Sequence, residues 1–500
     1  MSSPPDPAVD PTGASGSRAD LLFPAEPAQR AIARELYAHA RDLPIISPHG
    51  HVDPALLADD EPFPDPARLL VVPDHYVTRM LLSQGIPPGE LGVPTRPGTR
   101  PRPPAGDGDY ATETDGRTIW RRLAANWHLF RGTPSRLWLE KTFAEVFGVT
   151  VGLNARTADE VYDTIAAKLT EPAYRPRALF ERFRIEVLAT TESPLDDLGR
   201  HAKLAADGWG GPGGRVITTF RPDNVVDFEF DDWADNVAAL GAITGEDTGT
   251  YAGFLAALRS RRQAFIAAGA TSSDHGHLTA LTLRLEQREA AELYGRGLRG
   301  TATAEDAEAF RAHMLVEFAR MSIEDGLVMQ LHPGSVRNHN KWLYATHGRD
   351  VGGDIPQATE YLHALTPLLD AYGNDPRLRV VVYTLDEYTF TRELAPLAGG
   401  YAALYLGAPW WFLDSPEVLR RFREAVTETA GFYNTAGFVD DTRAFCSIPA
   451  RHDVARRIDA GFLARLVAEH RLDLDEAAET IVDLAYRLPK RVFKIGEKLS

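Results

Sequence analysis

The stretch Pro48-His49-Gly50-His51-Val52-Asp53 closes the first apolar run of the chain, Leu43 to Ile46. On an extended strand, residues two apart face the same way. His49 and His51 therefore aim two imidazoles at one point, with the small Gly50 leaving room between them. Imidazole is the commonest protein metal ligand, and two at one spot suit zinc or a similar divalent ion. Asp53 shares their parity but precedes Pro54, which marks it as a turn residue. A His-x-His pair is a weak signal alone. Its weight comes from its place at an early strand end, with a long series of similar strand ends further along the chain.

Downstream, apolar runs of strand length repeatedly end in polar residues, and helical segments largely separate them. Ile185 to Ala189 ends in Thr190-Thr191-Glu192, and Val216 to Phe220 in Arg221-Pro222-Asp223. The helix Tyr251 to Ala268 stops at Gly269, after which Thr271 to Ser273 leads into Asp274-His275. The helix Ala304 to Ile323, with Thr303 as N-cap, stops at Gly326, and Leu327 to Leu331 ends in His332. Val380 to Leu385 ends in Asp386-Glu387, Ala402 to Leu406 precedes Gly407-Ala408-Pro409-Trp410-Trp411, and Gly437 to Val439 ends in Asp440-Asp441-Thr442-Arg443. With the first strand these make eight strand candidates. Alternation with helices implies parallel strands, and eight of them suit a distorted (β/α)8 TIM-type barrel. Side chains at the C-terminal strand ends would then converge on one mouth. An open doubly wound sheet is the rival, but no Gly-x-Gly-x-x-Gly loop supports a nucleotide crevice.

Between the first and second strands the texture changes to frequent prolines, a Pro/Gly/Arg loop from Gly92 to Gly108, and helical pieces at Thr118–Phe130, Ser135–Phe147 and Ala158–Leu169. The predicted organisation is a disordered tail over 1–20, a catalytic barrel from 21–54 and 185–500 with two C-terminal helices after Arg451, and a mostly helical insertion over 55–184 that covers the barrel mouth. The tail lacks the basic start and apolar centre of a secretory signal.

Among the 500 residues, 44% are hydrophobic, which is ample for a large core. The formal charge of −16, from 54 basic and 70 acidic residues, argues against nucleic acid or an anionic membrane as partner. No apolar run approaches membrane-spanning length. The one cysteine, Cys446, excludes an intrachain disulfide and fits a reducing compartment, so a cytoplasmic protein is expected.

A barrel metal site needs a carboxylate beside two imidazoles. Asp441, ending the eighth strand next to the first around a closed barrel, is the leading candidate, with Asp440, Asp274 and Asp53 competing. His332 suits a general acid/base or a hydrogen-bond donor. Arg221 and Arg443 can hold a carboxylate bidentately, and Tyr76, in Asp74-His75-Tyr76, can donate to a substrate oxygen. Gln330-Leu331-His332-Pro333-Gly334 with Arg337-Asn338-His339-Asn340 reads as a substrate-facing loop. Each has a structural alternative: ion pairing of Arg221 with Asp223, capping by Asp441, packing by Tyr76.

From about Leu22 to near the C-terminus the chain resembles the uronate (glucuronate) isomerases of the amidohydrolase superfamily. The landmarks are the His-x-His, Asp74-His75-Tyr76, Thr190-Thr191-Glu192-Ser193-Pro194-Leu195-Asp196-Asp197, Phe220-Arg221-Pro222-Asp223, Ser273-Asp274-His275, Met329-Gln330-Leu331-His332, Trp410-Trp411-Phe412 and Asp441-Thr442-Arg443 leading to Arg451-His452-Asp453. The resemblance implies one divalent metal, commonly zinc, held by His49, His51 and Asp441. It implies aldose–ketose interconversion of D-glucuronate with D-fructuronate, and of D-galacturonate with D-tagaturonate, in uronic acid catabolism. Arg443, His332, Arg221, Asp274 and Tyr76 fall on its other active-site positions. A homo-oligomer that binds a small uronic acid is the expected assembly. The family often has Tyr-His-Cys-His where this chain has Pro48-His49-Gly50-His51, and Asp386-Glu387-Tyr388 stands where an Asn-Pro-Arg type segment is usual. A metal-dependent hydrolase on the same barrel, acting on a lactone, amide or ester, is the rival reading. Such hydrolases often add a bridging carboxylated lysine, and no lysine closes a strand candidate from the second to the seventh.

Overall fold

The computed structural model describes residues 19–97, 99, 112–497 and 499. The expected tail, apart from Ala19 and Asp20, and positions 98 and 100–108 of the Pro/Gly/Arg loop lie outside the described residues. The chain divides into two compact units. Leu22–Glu61, Leu179–His339 and Asp354–Ser500 form the larger, and Pro62–Ala178 with Asn340–Gly353 the smaller.

The smaller unit is helical. Asp65, Asp74, Asp115 and Thr133 cap the helices Pro66–Leu70, His75–Leu82, Gly116–Ala125 and Pro134–Lys141, each accepting from a backbone N–H of its own first turn. Gly116 is required where two of these helix starts meet, since a Cβ there would lie 2.5 Å from Asp65 Oδ1. Trp120 is fully buried and donates its indole N–H to Ala158 O at 3.0 Å, tying Gly116–Ala125 to the helix Ala158–Leu169.

The larger unit is α/β. Its strands in chain order are β1 (Ile45–Ser47), β2 (Ile185–Ala189), β3 (Val216–Ile217), β4 (Thr219–Phe220), β5 (Ser272–His275), β6 (Val328–Leu331), the short antiparallel pair β7 (Ser335–Val336) and β8 (Ile355–Pro356), then β9 (Val380–Val382) and β10 (Leu404–Leu406). Two parallel sheets result, in the orders β1-β2-β3 and β10-β9-β6-β5-β4. Only Thr218 separates β3 from β4. Hydrogen bonds from Thr190 N to Ile217 O (2.9 Å) and from Glu192 N to Thr219 O (3.0 Å) carry the ladder across both. At the other edge, Leu406 N donates to Asn434 O at 2.8 Å and Ala436 N to Leu406 O at 2.7 Å. His51 N donates to Thr442 O at 3.0 Å, which sets the stretch after Val439 beside β1.

The strand candidates from the first to the seventh carry strands. The eighth, Gly437 to Val439, does not: only Thr435 bridges to Leu406. The cause is Gly437, whose φ of +76° swings the chain out of the extended region, and a Cβ there would meet Pro489 Cδ at 2.7 Å. Strands buried on both faces, such as the all-buried Val380–Val382, are what helix-covered parallel sheets require. The helices end as their sequences dictate. Thr303 and Asp306 form a capping box at the start of Ala304–Asp325, and Gly326 closes it at φ 86°. The helix Pro27–Ala40 packs Ala33, Leu36 and Ala40 against Ala460, Leu463 and Ala464 of Ile448–Ala468, the alanines letting the two backbones approach. Among the described residues, no helix is long and apolar enough to cross a membrane.

Candidate active site

β1 is short because Pro48 has no N–H to continue its ladder. The His-x-His thus lies just past the strand rather than on it. Its backbone is held instead by neighbours, His51 N on Thr442 O and the Thr191 hydroxyl on Gly50 O at 2.9 Å. The two rings still meet, with centroids 5.2 Å apart and edge to face. Gly50 is not needed for room, since a Cβ there would make only ordinary contacts with Ala189 O, Thr442 O and Asp440 Oδ1. Asp53 caps the helix Pro54–Asp59 through Ala55 N and takes no part in the site.

Asp441 meets the pair. Its Oδ1 lies 3.6 Å from His49 Nε2 and 3.1 Å from His51 Nε2, and it sits at φ 38°, a left-handed conformation uncommon outside glycine. One donor atom from each of His49, His51 and Asp441 falls within 4.8 Å of the others. Burial pushes the His49 imidazole down to about 3, so its ring is neutral with a lone pair to give. Burial opposes charge on Asp441, but the imidazoles that face it and a hydrogen bond from His51 outweigh it and hold the carboxyl below its ordinary range. Two imidazoles and a carboxylate converging, with no fourth protein donor in the group among the described residues, fit a divalent ion that keeps an open position.

A second line of groups runs away from His49. His332 stacks on it at 4.8 Å, and His332 Nδ1 meets Asp274 Oδ1 at 2.6 Å. Asp274 is fully buried. Burial opposes its charge, but Arg221, whose Nη1 stands 3.1 Å from Oδ2, and then His332 and His49 keep it ionised. An ionised Asp274 makes Nδ1 of His332 the donor, and Nε2 is then the nitrogen left facing the site. That buried Nε2 has no hydrogen-bond partner among the described residues. Arg221 also donates Nε to Asp223 Oδ2 at 2.9 Å, so the ion pairing that is its structural alternative is present. Tyr383 and Trp410 wall His332, at 4.0 Å stacked and 4.6 Å edge-on.

Asp440, the competitor of Asp441, is turned away from the imidazole pair. It accepts from Ser47 Oγ at 3.1 Å and faces His452 Nε2 at 2.9 Å. Arg443 is exposed two residues beyond Asp441. Tyr76 belongs to the smaller unit, at the start of His75–Leu82, stacked on His75 at 4.9 Å. Arg337 donates to Asp354 at 2.8 Å and lies over Trp411 at 5.3 Å, and Glu387 accepts twice from Arg421, so both have structural work. Cys446 is buried, its thiol pushed up to about 12.

Gln330, expected to open a substrate-facing loop, lies instead inside β6, and its central role there escapes sequence reasoning. Buried on β6 two residues before His332, its Nε2 lies 3.4 Å from His49 Nδ1 and donates to Ser272 Oγ at 3.0 Å, while its Oε1 accepts from Tyr383 at 3.2 Å. The signal that could reveal it is an amide inside an apolar strand, at the parity of His332. Glu192, at the polar end of the second strand candidate, is a buried carboxyl to which the sequence assigns no role. It accepts from Thr218 and from Thr190 (2.9 Å), and burial raises it to about 7.

Fold and site together define an α/β protein of parallel strands with a candidate mononuclear metal centre at their C-terminal ends. The family model for glucuronate isomerase matches residues 27–100 and 105–493. A uronate isomerase of Phenylobacterium zucineum is 58% identical over 478 residues, 96% of each chain. The crystal structure of glucuronate isomerase from Caulobacter crescentus, 55% identical, superposes with a TM-score of 0.91 over 96% of this chain and 97% of that one. The uronate isomerase structure from Thermotoga maritima, 27% identical, gives 0.86 over 95% and 99%. The chain belongs to the glucuronate isomerase family, an amidohydrolase-related family of isomerases.

Proposed function

We propose that this chain interconverts D-glucuronate with D-fructuronate, and D-galacturonate with D-tagaturonate, on a distorted (β/α)8 barrel. That it is an isomerase of uronic acids follows from its family. The barrel is supported by the ladder running from 434–436 through both sheets to β1, with the His51–Thr442 bond beyond it. The observation that carries the site is the convergence of His49, His51 and Asp441. These residues would hold one divalent ion, which we take to be Zn2+. When bound, such an ion supplies positive charge that favours the anionic form of a nearby substrate oxygen.

The reaction moves a proton from C2 to C1 of the open-chain aldehyde through an enediol. Asp441, ionised and strained into place, is the base that takes the C2 proton. Its Oδ1 faces the imidazoles and its Oδ2 is assigned to the transfer. As that C–H bond breaks, its electrons form the C1–C2 double bond and charge develops on O1. His332, with Nδ1 committed to Asp274, presents Nε2 to carry a proton between O2 and O1. Arg443 is proposed, from its sequence match, to face the developing charge, and Arg221 to hold the substrate carboxylate on the part of its guanidinium that is a quarter exposed. Tyr76 is proposed as a further donor from its sequence match alone. Delivery of a proton from Asp441 to C1, once its carboxyl has exchanged with solvent, completes the ketose.

Incubation with D-glucuronate and, separately, with a sugar-acid lactone discriminates the readings. Ketose formation without acid release from the lactone is expected. Acid release without ketose would replace this function with the hydrolase one.

A further inference from the structure

His49-Gly50-His51 is not the chain's sole histidine–glycine–histidine run, for His275-Gly276-His277 repeats it where β5 ends. Asp274 faces His332, so the next residue, His275, turns to the opposite side of the strand, where its ring lies 4.7 Å from Phe318. His277 comes next on that side, the two ring centroids 6.2 Å apart. Asp223, just past the neighbouring β4, comes up to them, and Gly276 N donates to both of its oxygens at 3.2 and 3.1 Å. One donor atom from each of Asp223, His275 and His277 lies within 4.8 Å of the others. The arrangement therefore echoes the first site, with two imidazoles from one strand end and a carboxylate from a neighbouring stretch of chain.

These groups are more than nine-tenths buried. Such imidazoles normally find hydrogen-bond partners. Here His275 Nδ1 and His277 Nε2 have none among the described residues, although His275 Nε2 is matched with Ser273 Oγ at 3.1 Å. Burial pushes His275 down to about 3 and lowers His277, leaving neutral rings with lone pairs. The nearby cations are already neutralised. Arg262 is bound to Asp325 at 2.6 Å, Arg311 to Asp227 at 2.7 Å and Glu229 at 2.6 Å, and Arg221 is shared by Asp223 and Asp274. One guanidinium between two carboxylates leaves one negative charge for an added cation.

We propose that Asp223, His275 and His277 form a second divalent-metal site, distinct from that of His49, His51 and Asp441. Nitrogen donors select a zinc-class transition ion over magnesium or calcium. The ion fastens the end of β5 to the start of the helix Asp223–Val226, and through Asp223 it fixes the guanidinium of Arg221. Its role is to position, since no reacting atom need touch it.

The test is metal stoichiometry of the full chain, stripped with chelator, reloaded with Zn2+ alone, dialysed and assayed by mass spectrometry. The wild type is expected to keep two equivalents, His277→Gln one, and Asp441→Asn the other one. Saturation at one equivalent that Asp441→Asn abolishes, no retained metal at all, or two equivalents that persist in His277→Gln, overturns the proposal. One equivalent lost in His277→Gln but kept in Asp441→Asn upholds it and removes the first site instead. Asp223→Asn replaces His277→Gln if that chain does not fold.

Discussion

Replacing Gln330 by Met keeps the length of the side chain and removes its amide. Three groups use that amide: Ser272, Tyr383 and the Nδ1 of His49. Ser272 can turn to Thr219 Oγ1, 3.5 Å away, but the Tyr383 hydroxyl and His49 Nδ1 are left buried without it. An orphaned buried polar group costs about 1–3 kcal/mol, so with two of them the variant should lose about 2–6 kcal/mol of stability. A second effect is specific to the metal. His49 Nε2 faces Asp441, so a cation held there leaves the ring proton on Nδ1, and the Gln330 amide accepts it with its oxygen, turned to His49 in place of the nitrogen. Loss of such an outer partner typically weakens metal affinity by about 10–100-fold. Chelator competition reads the affinity, and urea unfolding of the metal-free chain reads the stability separately. Saturating Zn2+ should restore most of the activity at low temperature. A variant destabilised as expected, whose metal affinity stays within about twofold of wild type, would refute the claim that Gln330 orients His49.

Glu192 gives a pH dependence of definite sign. Its folded value of about 7 lies above its ordinary 4.5, so the folded chain binds the extra proton between them. That stability is fully present below 4.5 and is lost as pH rises through 7, roughly 3 kcal/mol for a shift of this size. Glu192→Gln should therefore gain stability relative to wild type between pH 5 and 8 in denaturant titrations, and a constant difference would contradict the assignment. Arg221→Lys should raise KM for D-glucuronate more than it lowers kcat, because the ammonium cannot reproduce the fork; an unchanged KM would move the carboxylate-binding role elsewhere. The Cys446 thiol should resist alkylation in the native chain at pH 8 and react once urea unfolds it, as tracked by mass spectrometry. Rapid native labelling would contradict its burial.

Much of the larger unit is legible in the sequence because the signals are local. Apolar runs ending in polar residues mark β2 and β6, and Thr303 with Gly326 marks both ends of a long helix. The eighth strand candidate misleads because Gly437 reads as the start of an extended run, whereas its backbone takes a positive φ against Pro489. The His-x-His has the expected parity but follows a shorter strand, since the missing Pro48 N–H shifts its backbone bonds to Thr442 and Thr191. Choosing Asp441 over Asp440 is beyond spacing alone. Adjacent residues face opposite ways, and Ser47 and His452, hundreds of residues and a dozen residues away, claim Asp440. Gln330 escapes for the same reason, because its partners come from three other strand ends.

The most direct test is proton NMR of D-glucuronate in heavy water with wild type and Asp441→Asn, each with its metal content measured and its substrate binding checked. The account predicts that the wild type exchanges the C2 hydrogen with solvent as ketose forms, and that the folded, substrate-binding variant exchanges none. Exchange at the wild-type rate in that variant would contradict the assignment of Asp441 as the base.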